Sequence, residues 1–386
     1  MEVCMKKIAI IGGGAAGIMA AIQIKQALND QVEVAIYEKM DRIGKKLLAT
    51  GNGKCNLTNA CLDTSLYNNE LGKNVTEKIT PSDVMCAFHQ LGLLTHQDNS
   101  GRVYPITDSA NTVLDIFLKQ LKKHQVKVYT NTVVQKISKL SNGYLIKTSQ
   151  EEKKVDIIIV ATGGGSSSFL GSNQEGYALL KPLGIHITTI SPGLVGLKTQ
   201  KEDVSGLNGL RQKVELSIYE NNEKTFSEKG EVQFKEDGVS GIVVMNASSY
   251  ILRKKGTYCI YLDLLPELDE KTLASFLKEY EIIGILPKML AEKINKKAVS
   301  LEEKIALIKH YPLHITNSYG FDRSQVTLGG VDIFEVDDHL ECKKLKHLFI
   351  VGELLDVDGP CGGYNLHFAF ASAILVSNYI IQMIRG

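Results

Sequence analysis

This sequence has no excess of charge of either sign. Its 386 residues carry 44 Lys and Arg against 43 Asp and Glu, a formal net charge of +1, with paired lysines scattered along the whole length. Without a basic arm or stripe, a nucleic-acid partner is not expected. A disulfide framework is missing too. The seven cysteines (Cys4, Cys55, Cys61, Cys86, Cys259, Cys342 and Cys361) are an odd number without framework spacing, which points to the reducing cytoplasm. Metal-ligand spacing is absent around His89, His96, His310 and His314, so no metal is expected. Long uninterrupted apolar runs are also lacking. Lys6-Lys7 and the apolar stretch after them imitate a secretory leader, but three glycines interrupt it. The last helical segment, Phe368 to Ile384, carries Ser372, Ser377, Asn378 and Gln382 and falls short of the about 20 residues that span a bilayer. Both read as buried core of a soluble protein with no membrane partner. No internal repeat or low-complexity tract is visible.

What is present begins at Lys7-Ile-Ala-Ile-Ile-Gly-Gly-Gly-Ala-Ala-Gly-Ile18, a buried strand turning into a helix through Gly12-x-Gly14-x-x-Gly17. A second strand, Val32–Glu38, ends on an acid 21 positions after Gly17. Gly12 permits the tight turn, Gly14 lets a pyrophosphate approach the backbone, and Gly17 lets helix and strand pack closely. The free helix N–H groups and the dipole favour phosphate charge, and Glu38 is placed to accept from a ribose diol. Strand, glycines, helix, strand and acid in this order predict a dinucleotide site.

The length suits two or three domains. Strand and helix alternate at both ends. After Glu38 the sequence predicts a long loop, Gly44 to Asn59, and helices near Pro81–Leu91 and Asn111–His124. A strand pair is expected at Lys127–Thr130 and Tyr144–Thr148, with Val134 and Ile137 between. Val155–Thr162 reads as one buried strand running into Gly163-Gly-Gly165. At the far end His347–Gly352 is a strand, Glu353–Gly363 a loop, and Tyr364 opens a helix. Between these ends the texture changes. Ile190–Val244 shows short alternating strands with turns such as Asn221-Asn222, and Asp269–His310 is amphipathic helix. The expected fold is α/β. A discontinuous dinucleotide-binding domain (1–189 and 326–386) is interrupted by an inserted domain at 190–325, β-rich over 190–265 and helical over 266–312.

Ala161-Thr162-Gly163-Gly-Gly165 lacks the third glycine and the distant acid of a second fingerprint, so it reads as a turn packed on the first cofactor. Gly362–Leu366 opens a helix after a strand, where N–H groups can stabilise negative charge on a flavin ring. Cys55 and Cys61 are separated by five residues in a loop, and Cys55 reads as a small packing residue beside the cofactor. Arg102 and Tyr104, in a loop before a helix, are candidates for a substrate carboxylate or carbonyl; closing one domain on the other is an equal reading.

Four separated motifs resemble a bacterial flavoprotein family. They are Thr50-Gly-Asn-Gly-Lys-Cys-Asn-Leu-Thr-Asn59, Gly101-Arg-Val-Tyr-Pro105, Val326-Thr-Leu-Gly-Gly-Val331, and Gly352-Glu-Leu-Leu-Asp-Val-Asp with Gly-Gly-Tyr-Asn-Leu366. The family contains the HI-type flavoproteins, the BaiN-like NAD(P)/FAD-dependent oxidoreductases and the aminoacetone-oxidase-like enzymes. The resemblance covers essentially the whole chain. It implies a Rossmann-like FAD-binding domain with an inserted β-barrel-like substrate domain, and non-covalent FAD, with Gly12, Gly14, Ala15, Ala16, Gly17, Glu38 and Lys39 around its ADP half and the Val134 backbone at adenine. Lys46, Asn56, Ala161, Thr162, Gly163, Gly352 and Glu353 would complete the cradle, and Gly363, Asn365 and Leu366 would meet the flavin. Val232-Gln-Phe-Lys-Glu-Asp-Gly-Val-Ser-Gly-Ile242 departs from the family pattern, lacking its His and Pro, so substrate specificity is not carried over.

The implied activity is hydride transfer between flavin N5 and a small organic substrate. An NAD(P)H-dependent reductase of an activated C=C bond leads; an amine oxidase using O₂ and a non-catalytic flavin-binding regulator are the alternatives.

Overall fold

The computed structural model describes residues 5–171, 173–253, 256 and 258–386. Its contacts divide the chain into Met1–Ser191 with Val326–Gly386, and Pro192–Gln325.

In the first unit, Lys6–Ile11 (β1) and Val32–Tyr37 (β2) pair in parallel from Lys6↔Val32 to Ile11↔Tyr37. Between them runs the helix Ala15–Leu28 (α1), buried over nearly all its faces. A short helix, Lys45–Ala49 (α2), then opens the segment expected to be a continuous loop. Thr58–Asn59 (β3) follows, then helices Glu70–Lys78 (α3) and Pro81–Gln90 (α4), the latter started by a Thr80–Asp83 capping box. Thr95–Gln97 (β4) and Arg102–Pro105 (β5) join β3 in a three-stranded sheet of order β3-β5-β4. Helix Ala110–Lys123 (α5) leads to Lys127–Tyr129 (β6).

The expected pairing of Lys127–Thr130 with Tyr144–Thr148 is wrong. β6 adds in parallel to β2 through Ala35↔Lys127 to Tyr37↔Tyr129. Tyr144–Thr148 (β8) pairs instead with Val134–Lys139 (β7) and with Glu152–Val155 (β9), forming a separate antiparallel meander. Both segments alternate, so pattern alone does not say which neighbour each finds. The long strand expected over Val155–Thr162 breaks at Asp156, whose carboxylate accepts the Lys7 N–H at 2.8 Å. Ile157–Val160 (β10) then enters the parallel sheet against Ile8–Ile11. With the final strand, Leu348–Ile350, the sheet has the order final-β10-β1-β2-β6. Apart from the edge strand β6, which is exposed or half-buried, its strands are largely buried, hence their near-continuous Ile and Val.

The final helix, Tyr364–Arg385, has 22 residues and is long and apolar enough to cross a membrane by length and composition. The expectation that it is too short is therefore corrected. In this fold it is a core helix: Phe368, Phe370, Ala371, Ala373 and Val376 are buried, and Ser377 and Arg385 donate to carbonyls of α1 at Ala20 and Ala27.

The second unit has its own core. Strands Arg211–Glu220 and Glu223–Phe234 form a long hairpin. It turns at Asn221 and Asn222, both left-handed with φ of 51° and 68°, as a two-residue hairpin turn requires. Ile242–Arg253 is a helix where strands were expected. Val243, Ala247 and Ile251 recur every four residues on its buried side, a helical period the short window hid. The sheet contains seven strands, with Tyr311–Leu313 and Ile315–Ser318 at its two ends. Only His314 separates those two in sequence, so the chain links one end of the sheet to the other, in keeping with a barrel-like form. The amphipathic stretch is three helices, Glu270–Glu279, Lys288–Lys297 and Leu301–Lys309.

Candidate functional site

The parallel sheet places the C-terminal ends of β1, β2, β10 and the final strand along one edge, where α/β folds bind ligands. At this edge the glycines of the β1–α1 turn do different jobs. A Cβ at Gly12 would sit 2.4 Å from the Ala161 carbonyl oxygen, and one at Gly17 would sit 2.1 Å from that of Gly12. Gly13, which the fingerprint does not count, is equally crowded, by Ile43. At Gly14 a Cβ would meet nothing within 4 Å. Three glycines close the turn and the fourth faces open space, the cradle a pyrophosphate needs. Gly14 N-caps α1 with no side-chain bond and no acid stands in the first turn, so the N–H groups of Ala15, Ala16 and Gly17 face no competing anion of their own helix.

Glu38 braces this turn. Its Oε2 accepts from Gly13 N and its Oε1 from Met40 N, both at 2.8 Å. Its carbonyl accepts from Thr132 N, and Asn131 N reaches Met40 O, which carries the chain towards Val134 at the start of β7. Lys39 turns to Glu175, with Nζ 2.8 Å from its carboxylate.

Ala161, Thr162 and Gly163 follow β10 directly, and the buried Thr162 hydroxyl has no hydrogen-bond partner among the described residues. Gly352 and Glu353 follow the final strand. Glu353 is the centre of a network the sequence did not reveal. Its Oε1 accepts from Ser166 Oγ at 2.6 Å and from Thr327 N at 2.9 Å, and its Oε2 pairs with Lys46. Burial alone would raise this carboxyl, but the Lys46 charge and the hydroxyl donors outweigh it and hold it below the usual range. Nearby, burial and the charges of Glu353 and Asp356 push the buried Tyr177 phenol far above its ordinary value.

The segment Thr50–Asn59 is locked onto the start of the final helix, some 300 positions away. Gly51, Asn52, Gly53 and Cys55 all take left-handed backbone. In the orientation its neighbours require, the Asn56 amide oxygen accepts from Gly363 N at 3.0 Å while its nitrogen donates to Val103 and Thr58 carbonyls. Gly363 itself is needed here, because a Cβ would sit 2.7 Å from the Thr58 carbonyl. Asn59 Nδ2 donates to Gly362 O at 2.9 Å, and Thr58 Oγ1 lies 2.8 Å from His367 Nδ1. Asn365 turns its side chain back into its own loop, bonding Gly359 N and O, so it offers a ligand its backbone only. Leu366 packs partly buried against the core. Cys55 is fully buried, its thiol pushed up to about 12 by burial, while Cys61 is exposed. They do not face a common site.

Arg102 and Tyr104 lie on strand β5 rather than in the expected loop, because β3 and β4 pair with it from either side. Tyr104 stacks on His96 with centroids 5.9 Å apart.

His367 is fully buried on the final helix. Burial holds its ring neutral, at about 4 instead of 6.5. Folding therefore favours the neutral form. This stability is full above the unfolded value and is lost as pH falls from about 6.5 towards 4, a loss of roughly 3 kcal/mol. Denaturant midpoints should fall over that window in the native protein and less steeply in His367→Asn. Equal slopes in the two proteins would refute the assignment.

Residues 6–379 match the family described as HI0933-like protein Rossmann domain. The chain belongs to that family. It is an enzyme of the FAD-dependent oxidoreductase class. It is similar to the 3-dehydro-bile acid delta(4,6)-reductase of Clostridium scindens, 35% identical over 405 aligned residues that cover 96% of this chain and 98% of the relative. It also resembles the ribosomal RNA dihydrouridine synthase of Escherichia coli, at 27% identity over 94% of this chain and 95% of that protein. Among solved structures, a mutant FrdA chain of E. coli quinol fumarate reductase shares the fold, with a TM-score of 0.51 at 15% identity, covering 99% of this chain and 71% of that one.

Proposed function

We propose that this protein is an NAD(P)H-dependent reductase of an activated C=C bond in a small organic substrate, with an enone of the oxidised bile-acid type as the model acceptor. The end-to-end likeness to a reductase of such a bond, at 35% identity, carries this reading. FAD, when bound, supplies two-electron redox chemistry. The chain's residues bind and orient it: the β1–α1 turn would take the pyrophosphate, Glu38 the adenosine ribose, and the first N–H groups of the final helix the flavin ring. Lys46, held by Glu353, places a positive charge in the same cradle. With one fingerprint in the sequence, the nicotinamide donor is read as a transient visitor without a domain of its own. A small molecule is favoured over ribosomal RNA because the net charge is +1 with no basic stripe to meet a phosphate backbone.

Incubated without oxygen, the FAD-loaded protein, NADH or NADPH and a 3-oxo-4,6-diene bile acid should yield a product heavier by two hydrogens. Recovery of unchanged diene with both donors would count against the proposal, and peroxide formation from an aminoketone in air would move it to an oxidase.

A further inference from the structure

The three-stranded sheet beside the start of the final helix carries a charged group that the cofactor reading leaves unused. In its ladder Arg102 pairs with Asn59, and Tyr104 with His96. Directly opposed residues of an antiparallel pair project on one face, as do residues two apart on a strand. Asn59, Arg102, Tyr104 and His96 therefore share a face. Asn59 ties that face to the loop opening the final helix through its bond to Gly362 O.

The other charges there already have partners. Lys54 Nζ lies 3.0 Å from Asp108, whose second oxygen lies 2.9 Å from His96 Nε2. Asp98 accepts the backbone N–H groups of Ser100 and Arg102 at 2.8 and 3.0 Å. Arg102 is half-buried as a residue, yet no hydrogen bond or ion pair joins its guanidinium to another described residue. A planar fork of donors on a paired strand, beside an aromatic ring, is suited to bidentate capture of a carboxylate.

We propose that Arg102 anchors a carboxylate carried by the acceptor, so that the site selects acidic enones over neutral ones. The identity of the acceptor rests on the reductase reading above; the anion subsite stands on the sheet geometry.

The test uses calorimetric binding of a 3-oxo-4,6-diene bile acid and its methyl ester to the full-length, FAD-loaded protein. The acid should bind about tenfold or more tighter than the ester, the effect of a hydrogen bond to a charged group. Arg102→Leu should bring the acid down to the ester's affinity and leave the ester and the FAD content unchanged, while Arg102→Lys keeps part of the preference. Equal affinity for acid and ester in the native protein, including binding of neither, overturns the proposal. So does an acid preference that survives Arg102→Leu. If the preference follows Arg102 but the diene is not reduced, the subsite stands and the reductase reading falls.

Discussion

Gly14→Val should fold normally and carry no FAD. The native position has open space around its would-be Cβ and extended backbone, φ −87° and ψ −170°, which valine adopts without strain. Loss of glycine at this N-cap costs at most about 1 kcal/mol, so the apoprotein should melt cooperatively. The isopropyl group would then fill the place where the pyrophosphate meets the backbone, and binding should be lost outright. Gly17→Ala provides the contrast. Its methyl would lie 2.1 Å from the Gly12 carbonyl oxygen, so the damage should appear in folding itself. Absorbance of the purified proteins and their melting curves separate the two cases. A yellow, stoichiometric Gly14→Val protein would place the phosphates elsewhere.

Glu353→Leu should cost about 3 kcal/mol of stability and most of the FAD affinity. The substitution strips the acceptor from Ser166, Thr327 and Lys46 together. Removing one partner of a buried pair costs about 3–5 kcal/mol, and the lower end applies because Lys46 and Glu353 keep 28% and 20% of their side chains exposed. Glu353→Gln retains an acceptor for the hydroxyls but loses the charge facing Lys46, and should fall between. Denaturant titration of the apoproteins measures the first effect and FAD titration the second. A Glu353→Leu protein as stable as the native would mean that this network does not hold the cradle together.

The dinucleotide turn was legible because its signal is local: strand, glycines and helix lie within one short stretch, with Gly12 and Gly17 required by crowding inside the fold and Gly14 by the space a ligand needs. Gly13 escaped notice because its crowding comes from Ile43, a neighbour that only the fold supplies. The same holds for the Glu353 network, whose members Lys46, Ser166 and Thr327 are separated by more than a hundred residues. The Thr50–Asn59 motif was visible as a motif, but its clamp on Gly362, Gly363 and His367 was not, since no periodicity encodes a contact over that separation. Arg102 and Tyr104 were singled out by residue type and misplaced in a loop, for a four-residue strand pairing with two others shorter still gives almost no pattern. The final helix shows the opposite failure. Its polar residues suggested a shorter element, whereas Ser372 and Ser377 satisfy their hydroxyls on carbonyls of their own helix and so permit 22 continuous residues.

The proposed activity requires one fold to hold FAD and to pass electrons from a nicotinamide donor to a conjugated C=C bond. An anaerobic titration of the purified yellow protein with NADH and NADPH, followed at the flavin absorbance, tests it most directly. One of the donors should bleach the band stoichiometrically, and adding the 3-oxo-4,6-diene bile acid without oxygen should restore it. A band that neither donor bleaches, or that the diene leaves bleached while air restores it, would contradict that activity.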